Sequence, residues 1–90
     1  MYEFQISTKF RREVKKCERQ NKDMSKFKEI IDFLKFGQSL PPHNKDHQLT
    51  GNWKGYRECH ISPDWLLIYK VNDSTKKIEL ARMGSHADLF

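Results

Sequence analysis

Between Lys45 and Lys70 the chain reads KDHQLTGNWKGYRECHISPDWLLIYK, and Arg82, His86 and Phe90 follow soon after. His47, His60 and His86 supply imidazoles, which titrate near neutrality, and Asp64 supplies a carboxylate. Arg82 brings a guanidinium that can grip phosphate in a fixed fork, while Trp65 and Phe90 bring rings that can stack on bases. Metal-free cleavage of RNA needs a base for the ribose 2′ proton, an acid for the leaving 5′ oxygen, and a cation for the charge that builds on phosphorus. Two imidazoles and one guanidinium meet that need. His60 and Asp64 sit across a tight hairpin, where the carboxylate can orient the ring or raise its basicity. His86 lies four residues beyond Arg82, past Gly84.

Each residue also has an ordinary structural use. Arg82 could pair with a carboxylate, Asp64 could simply follow Pro63 in a turn, and Trp53 and Trp65 could be core aromatics. Phe90, at the end of a polar tail, has less structural reason to be aromatic. A metal site built from His43, Asp46, His47, His60, Asp64 and His86 is the sharper rival. None of these shows a recurrent ligand spacing, and Arg82 would repel a cation. Cys17 and Cys59 are too far apart for a CxxC motif, and nothing local marks either thiol as activated. Both read as small buried apolar residues.

The elements that must position these groups follow from periodicity. Tyr2, Phe4 and Ile6 alternate with polar residues, as in a half-buried strand. Ser7 or Thr8 can cap a helix running from Lys9 to about Asn21, with Phe10, Val14, Cys17 and Asn21 on one face. Arg12, Lys15, Lys16 and Arg19 then point away from it, as a solvated surface or as a basic ridge for nucleic acid or an acidic partner. Asp23 starts and Gly37 stops a second helix, whose apolar stripe is Met24, Phe27, Ile31 and Leu34. Pro41 and Pro42 open a long polar loop punctuated by Gly51 and Gly55. Strands are expected over Tyr56–Ile61, Trp65–Val71 and Lys76–Met83, as an antiparallel meander. Period two puts Ile78, Leu80 and Arg82 on one face of the last strand, and Glu79, Ala81 and Met83 on the other.

This order, strand, helix, helix, then at least three strands, predicts an α+β fold with the helical hairpin on one face of a mostly antiparallel sheet of about four strands. Only the long loop and the C-terminal tail remain to cover the other face. That would draw His47, His60, Asp64 and His86 toward one cleft. Ninety residues suit a single domain, with no room for a separate cofactor domain. The net charge of +5 favours polyanionic partners, and the excess is concentrated in residues 1–36, with ten basic and six acidic side chains. No apolar run approaches the roughly 20 residues that span a bilayer, and the N-terminal residues lack a signal-peptide pattern. A cytosolic protein is expected.

The ordered string Lys45-Asp46-His47, Leu49, Gly51, Trp53-Lys54-Gly55-Tyr56-Arg57, His60, Pro63-Asp64-Trp65, Leu67-Ile68-Tyr69-Lys70, Arg82, Gly84, His86 and Leu89-Phe90 resembles the YafQ branch of the RelE/ParE toxin superfamily. The first half matches only as a pattern of a strand followed by a helical hairpin. The resemblance implies a RelE-like microbial ribonuclease fold, without metal or organic cofactor. It implies a type II toxin that cleaves messenger RNA in the ribosomal A site and is neutralised by a DinJ-type antitoxin, which would supply any contact with DNA. His47, His60, Asp64, Arg82 and His86 match the family's catalytic positions, and Trp65 and Phe90 its associated aromatics. By the same resemblance His86 is the general acid and Arg82 the phosphate clamp. His60, Asp64 or His47 is the base or its orienter. Gln48 stands where a proline would be expected, leaving the backbone beside His47 less constrained. A noncatalytic RNA- or protein-binding module and a gyrase poison are the alternatives, and the histidines favour the ribonuclease.

Overall fold

A computed structural model describes residues 1–90. Ser7 caps helix α1 (Thr8–Arg19), its hydroxyl oxygen accepting from the Phe10 N–H at 3.1 Å. Asp23 caps helix α2 (Met24–Lys35) by accepting from the Ser25 N–H. Gly37 ends it at φ +68°, where the backbone turns left-handed and donates to the Leu34 carbonyl. Asn21, expected on the apolar face of α1, instead lies beyond the helix and is exposed.

The strands are β1 (Glu3–Ile6), β2 (His47–Gln48), β3 (Arg57–Ser62), β4 (Trp65–Asn72) and β5 (Lys77–Gly84), in the sheet order β1-β5-β4-β3-β2. Only the β1–β5 pair is parallel. The expected architecture is present, with one strand more than the count of about four. The addition is β2, inside the predicted loop, where His47 pairs with Glu58 and Gln48 with Arg57.

A second correction concerns β5. Ile68 pairs with Arg82 and Tyr69 with Leu80, so Ala81 is an extra residue in the ladder. Such a bulge reverses which side chains face the core beyond it. Met83 therefore joins Ile78 and Leu80 under the helices, and Arg82 stands opposite Ile68 on the other face.

The helix-facing side holds a core of twelve buried residues, among them Phe10, Cys17, Ile30, Leu34, Cys59, Leu67, Tyr69 and Ile78. Burying each large apolar side chain contributes about 1.5–3 kcal/mol. The opposite side holds only Leu66, Ile68 and Leu89 as a buried cluster, with Leu49, Trp53, Tyr56 and Ala81 packed against it. Leu89 comes from helix α3 (His86–Leu89), which opens with a reciprocal capping box between Ser85 and Asp88. No helix is long and apolar enough to cross a membrane.

Candidate active site

The sheet register sets His47, Glu58, Ile68 and Arg82 in one row across β2, β3, β4 and β5, on the face turned away from α1 and α2. The neighbouring row carries His60, Leu66 and Gly84. Gly84 then releases the chain into α3. A Cβ there would lie 3.0 Å from both Cβ and Oδ2 of Asp88, so α3 folds back closely only over a glycine.

Glu58 is the buried centre of this face, 5 % exposed. Its Oε1 lies 3.7 Å from Nε2 of His47 and 3.6 Å from Nε2 of His60. These separations suit charge attraction rather than direct hydrogen bonds. The other ring nitrogens face carbonyls: His47 Nδ1 is 2.7 Å from the Lys45 oxygen, and His60 Nδ1 is 3.3 Å from the Pro63 oxygen. A carbonyl only accepts, so Nδ1 carries the hydrogen, and each Nε2 attracts Glu58 only when it is protonated as well. The backbone of His60 is itself held, because buried Asn44 donates to its carbonyl at 2.8 Å.

His86, the first residue of α3, is fixed by Asp64 twice. Oδ1 accepts from the His86 backbone N–H at 3.1 Å and lies 2.8 Å from its Nδ1. These bonds, that to the side chain first, hold the Asp64 carboxyl below its usual range. As an anion it accepts, so Nδ1 bears the hydrogen and Nε2 is left free for other work. The rings of His60 and His86 approach with centroids 5.7 Å apart at 60°.

Four expected residues thus converge, His47, His60, Asp64 and His86, around a carboxylate the sequence reading missed. The signal was present: Glu58 lies two residues before His60, and a strand's period puts both on one face. Ligand atoms of Glu58, His60 and His86 lie within 4.8 Å of one another, a three-ligand arrangement able to hold a divalent cation. This differs from the metal set read from sequence. Asp46 instead accepts from Arg57 and, at 2.5 Å, from the Tyr69 hydroxyl, while His43 and His47 stand outside the three-ligand group.

Arg82 is largely covered, and its guanidinium is paired with Glu13 of α1, with Nε and Nη2 each 2.9 Å from Oε2. Phe90 is exposed. Trp65 requires a correction: it is 2 % exposed within the helix-facing core and offers no ring for a base. Arg12, Lys15, Lys16 and Arg19 are all exposed, and Lys16 also lies 3.6 Å from Asp88 of α3. Burial raises the thiols of Cys17 and Cys59 above their usual range, unlike activated nucleophiles.

A family model described as the bacterial toxin YafQ of type II toxin-antitoxin systems matches residues 2–90. The chain is 42 % identical over 89 residues to the Escherichia coli K12 protein named mRNA interferase toxin YafQ, covering 98 % of this chain and 95 % of the relative. Its fold is similar to that of YafQ in the E. coli DinJ-YafQ complex, with a TM-score of 0.90 and 41 % identity over 100 % of this chain and 99 % of the other. It is also similar to a copper-bound mutant toxin from Helicobacter pylori, with a TM-score of 0.93 and 38 % identity over the whole of both chains.

Proposed function

Since this chain belongs to the YafQ family of bacterial toxins of type II toxin-antitoxin systems, we propose that it is an endoribonuclease, an mRNA interferase that cleaves messenger RNA in the ribosomal A site by metal-independent acid and base catalysis. The observation that supports this best is the gathering of three imidazoles around Glu58 on the face left open by the helices.

In this reading one of His60 and His47 removes the proton from the ribose 2′-OH, and Glu58, in reach of both, stabilises the imidazolium that results. The 2′ oxygen attacks phosphorus and the bond from phosphorus to the 5′ oxygen breaks. His86, entering the step as an imidazolium whose Nδ1–H is held by Asp64, gives its second proton from Nε2 to that departing oxygen. Products are a 2′,3′-cyclic phosphate and a free 5′-OH. Arg82 receives the charge on the phosphoryl oxygens, and the exposed ring of Phe90 supplies stacking. A cation on Glu58, His60 and His86 would occupy the atoms that move protons. Added copper is therefore expected to inhibit, and EDTA to restore activity.

The partners are the ribosome with its messenger and a DinJ-type antitoxin, with DNA reached only through that antitoxin; the site of action is the cytoplasm. Arg12, Lys15, Lys16 and Arg19 form the basic ridge that meets ribosomal RNA or an acidic antitoxin segment. Neutralising them is expected to weaken ribosome binding and flatten its salt dependence; unchanged binding would remove the ridge from the mechanism. The deciding experiment is cleavage of a translated messenger on purified ribosomes after EDTA treatment, with a ribosome-free control. Cutting only on ribosomes supports the proposal. No cutting by folded, antitoxin-free protein favours a noncatalytic binding module or a gyrase poison.

A further inference from the structure

The run Arg11-Arg12-Glu13-Val14-Lys15-Lys16 contains a single acid, and that acid is turned inward. Glu13 and Arg82 are both largely shielded, with side chains 16 % and 19 % exposed. Glu13 Oε1 accepts from Arg82 Nε at 3.1 Å and from the Met83 backbone N–H at 3.1 Å, and Oε2 takes Nε and Nη2, each at 2.9 Å. The backbone bond has a plain cause. The β1–β5 pairing stops at Ile6 and Leu80, so β5 continues past the end of β1 with a free edge. Glu13 caps that edge beside the bulge at Ala81.

The same carboxylate therefore fixes both the strand and the guanidinium that the strand carries. Arg82 stands in the row of Glu58 and His47, two strand spacings from Glu58, or roughly 10 Å. An arginine on a long stem would otherwise sample many rotamers there. With Nε and Nη2 committed to Glu13, Nη1 makes no protein hydrogen bond, and its donors remain for an anion. Three residues on, Lys16 lies 3.6 Å from Asp88, whose capping box shapes the helix that presents His86. Positions three apart lie on one helix face. One edge of α1 thus touches both segments that deliver the candidate clamp and acid.

We propose that Glu13 is a positioning residue for Arg82, setting its guanidinium for the scissile phosphate; this rests on the ribonuclease reading above. In cleavage the carboxylate works by holding Arg82 and itself touches no substrate. The test is single-turnover cleavage on programmed ribosomes by the intact chain, Glu13→Gln, Arg82→Ala and the double variant, with melting curves and ribosome affinity for each. Glu13→Gln keeps the shape and an acceptor for Met83 but loses the charge that holds the fork. It is expected to slow cleavage by about 10- to 100-fold, as a misplaced group does, with ribosome affinity and melting temperature little changed. On the Arg82→Ala background it should cause no further loss, the signature of two residues acting as a unit.

Glu13→Gln cleaving within twofold of the intact chain, while Arg82→Ala is slow, would overturn the proposal. So would an equal loss on both backgrounds, which marks a separate structural role. If Arg82→Ala is itself as fast as the intact chain, the clamp is misassigned and Glu13 has nothing to position. An intact chain that cuts nothing on ribosomes fails at the earlier step and removes the ribonuclease reading, a result visible before any variant is compared.

Discussion

The two faces of the sheet are made by the same strands and use them for opposite ends. On β4, Trp65, Leu67 and Tyr69 face α1 and α2 within a twelve-residue core, while Leu66 and Ile68 face a buried cluster of only three. The first face is apolar with few ionisable groups, and its stability comes from burial. The second is thinly covered by α3 and the segment around Trp53 and Tyr56, and it carries Glu58, His60 and the edge histidine His47. A small domain with one adequate core can leave the other face polar and open, which reactive groups require. Folding and chemistry are thus assigned to opposite sides of five strands.

This division can be broken from the helix side first. Phe10 is 1 % exposed and packs against Phe27, with ring centroids 6.3 Å apart. Phe10→Ala is expected to cost about 3–5 kcal/mol, a large share of the stability of a domain this size. Urea melts monitored by circular dichroism would measure it, and any cleavage activity should fall with the folded fraction. His86→Ala should do the reverse. Removing a general acid is expected to slow cleavage about 10²–10⁴-fold, with the urea midpoint close to that of the intact chain. A His86→Ala protein that melts early would mean that the second face also holds the fold.

Gly84→Ala sharpens the boundary between the faces. Its new Cβ would meet the Asp88 side chain at 3.0 Å, so Asp88, whose carboxylate completes the cap of the helix that begins at His86, must give by a few tenths of an ångström. Overpacking of this kind costs about 1–3 kcal/mol. The expected result is a modest loss of stability with a disproportionate loss of cleavage. Equal losses in the two would show that α3 is not coupled to the site.

How far this arrangement could be read in advance differs between the faces for physical reasons. The caps at Ser7 and Asp23, the left-handed stop at Gly37 and the helical stripes are local, and each was legible. So was the convergence of His47, His60, Asp64 and His86, because only the loop and tail remained to cover the open face. Trp65 was given to RNA by the family resemblance, and its own segment could not decide against that, because Trp65 to Tyr69 is apolar at every position and such a run does not disclose which side faces the helices. Arg82 was put on the same face as Ile78 and Leu80 because a bulge at Ala81 is a tertiary accommodation that strict alternation cannot anticipate. Glu13 carries no signal of its own in the sequence, standing among the basic residues of α1. Its partner lies 69 residues away, and no periodicity within α1 points to it.

The smallest expected effect separates the faces by pH. Asp64 is held below the usual carboxyl range first by the His86 side chain and then by the His86 backbone, and Asp88 first by the Ser85 N–H and then by the Ser85 hydroxyl. Both tie down α3, and neither touches the main core. A carboxyl whose folded value is depressed favours the native state when ionised. Its contribution is complete above the unfolded value of about 3.9 and disappears as the pH falls through the lower folded value. Acidification below about pH 4 should therefore loosen α3 before it loosens the strands. Amide exchange or NMR linewidths at Leu89 and Phe90 should change while those at Tyr69 and Ile78 stay protected. Asp64→Asn should loosen the same two residues already at neutral pH, since the amide keeps the size of the side chain but not its charge. If Leu89 and Tyr69 lose protection at one common pH, the second face is not a separate unit, and the thin cover over the site is held by the core itself.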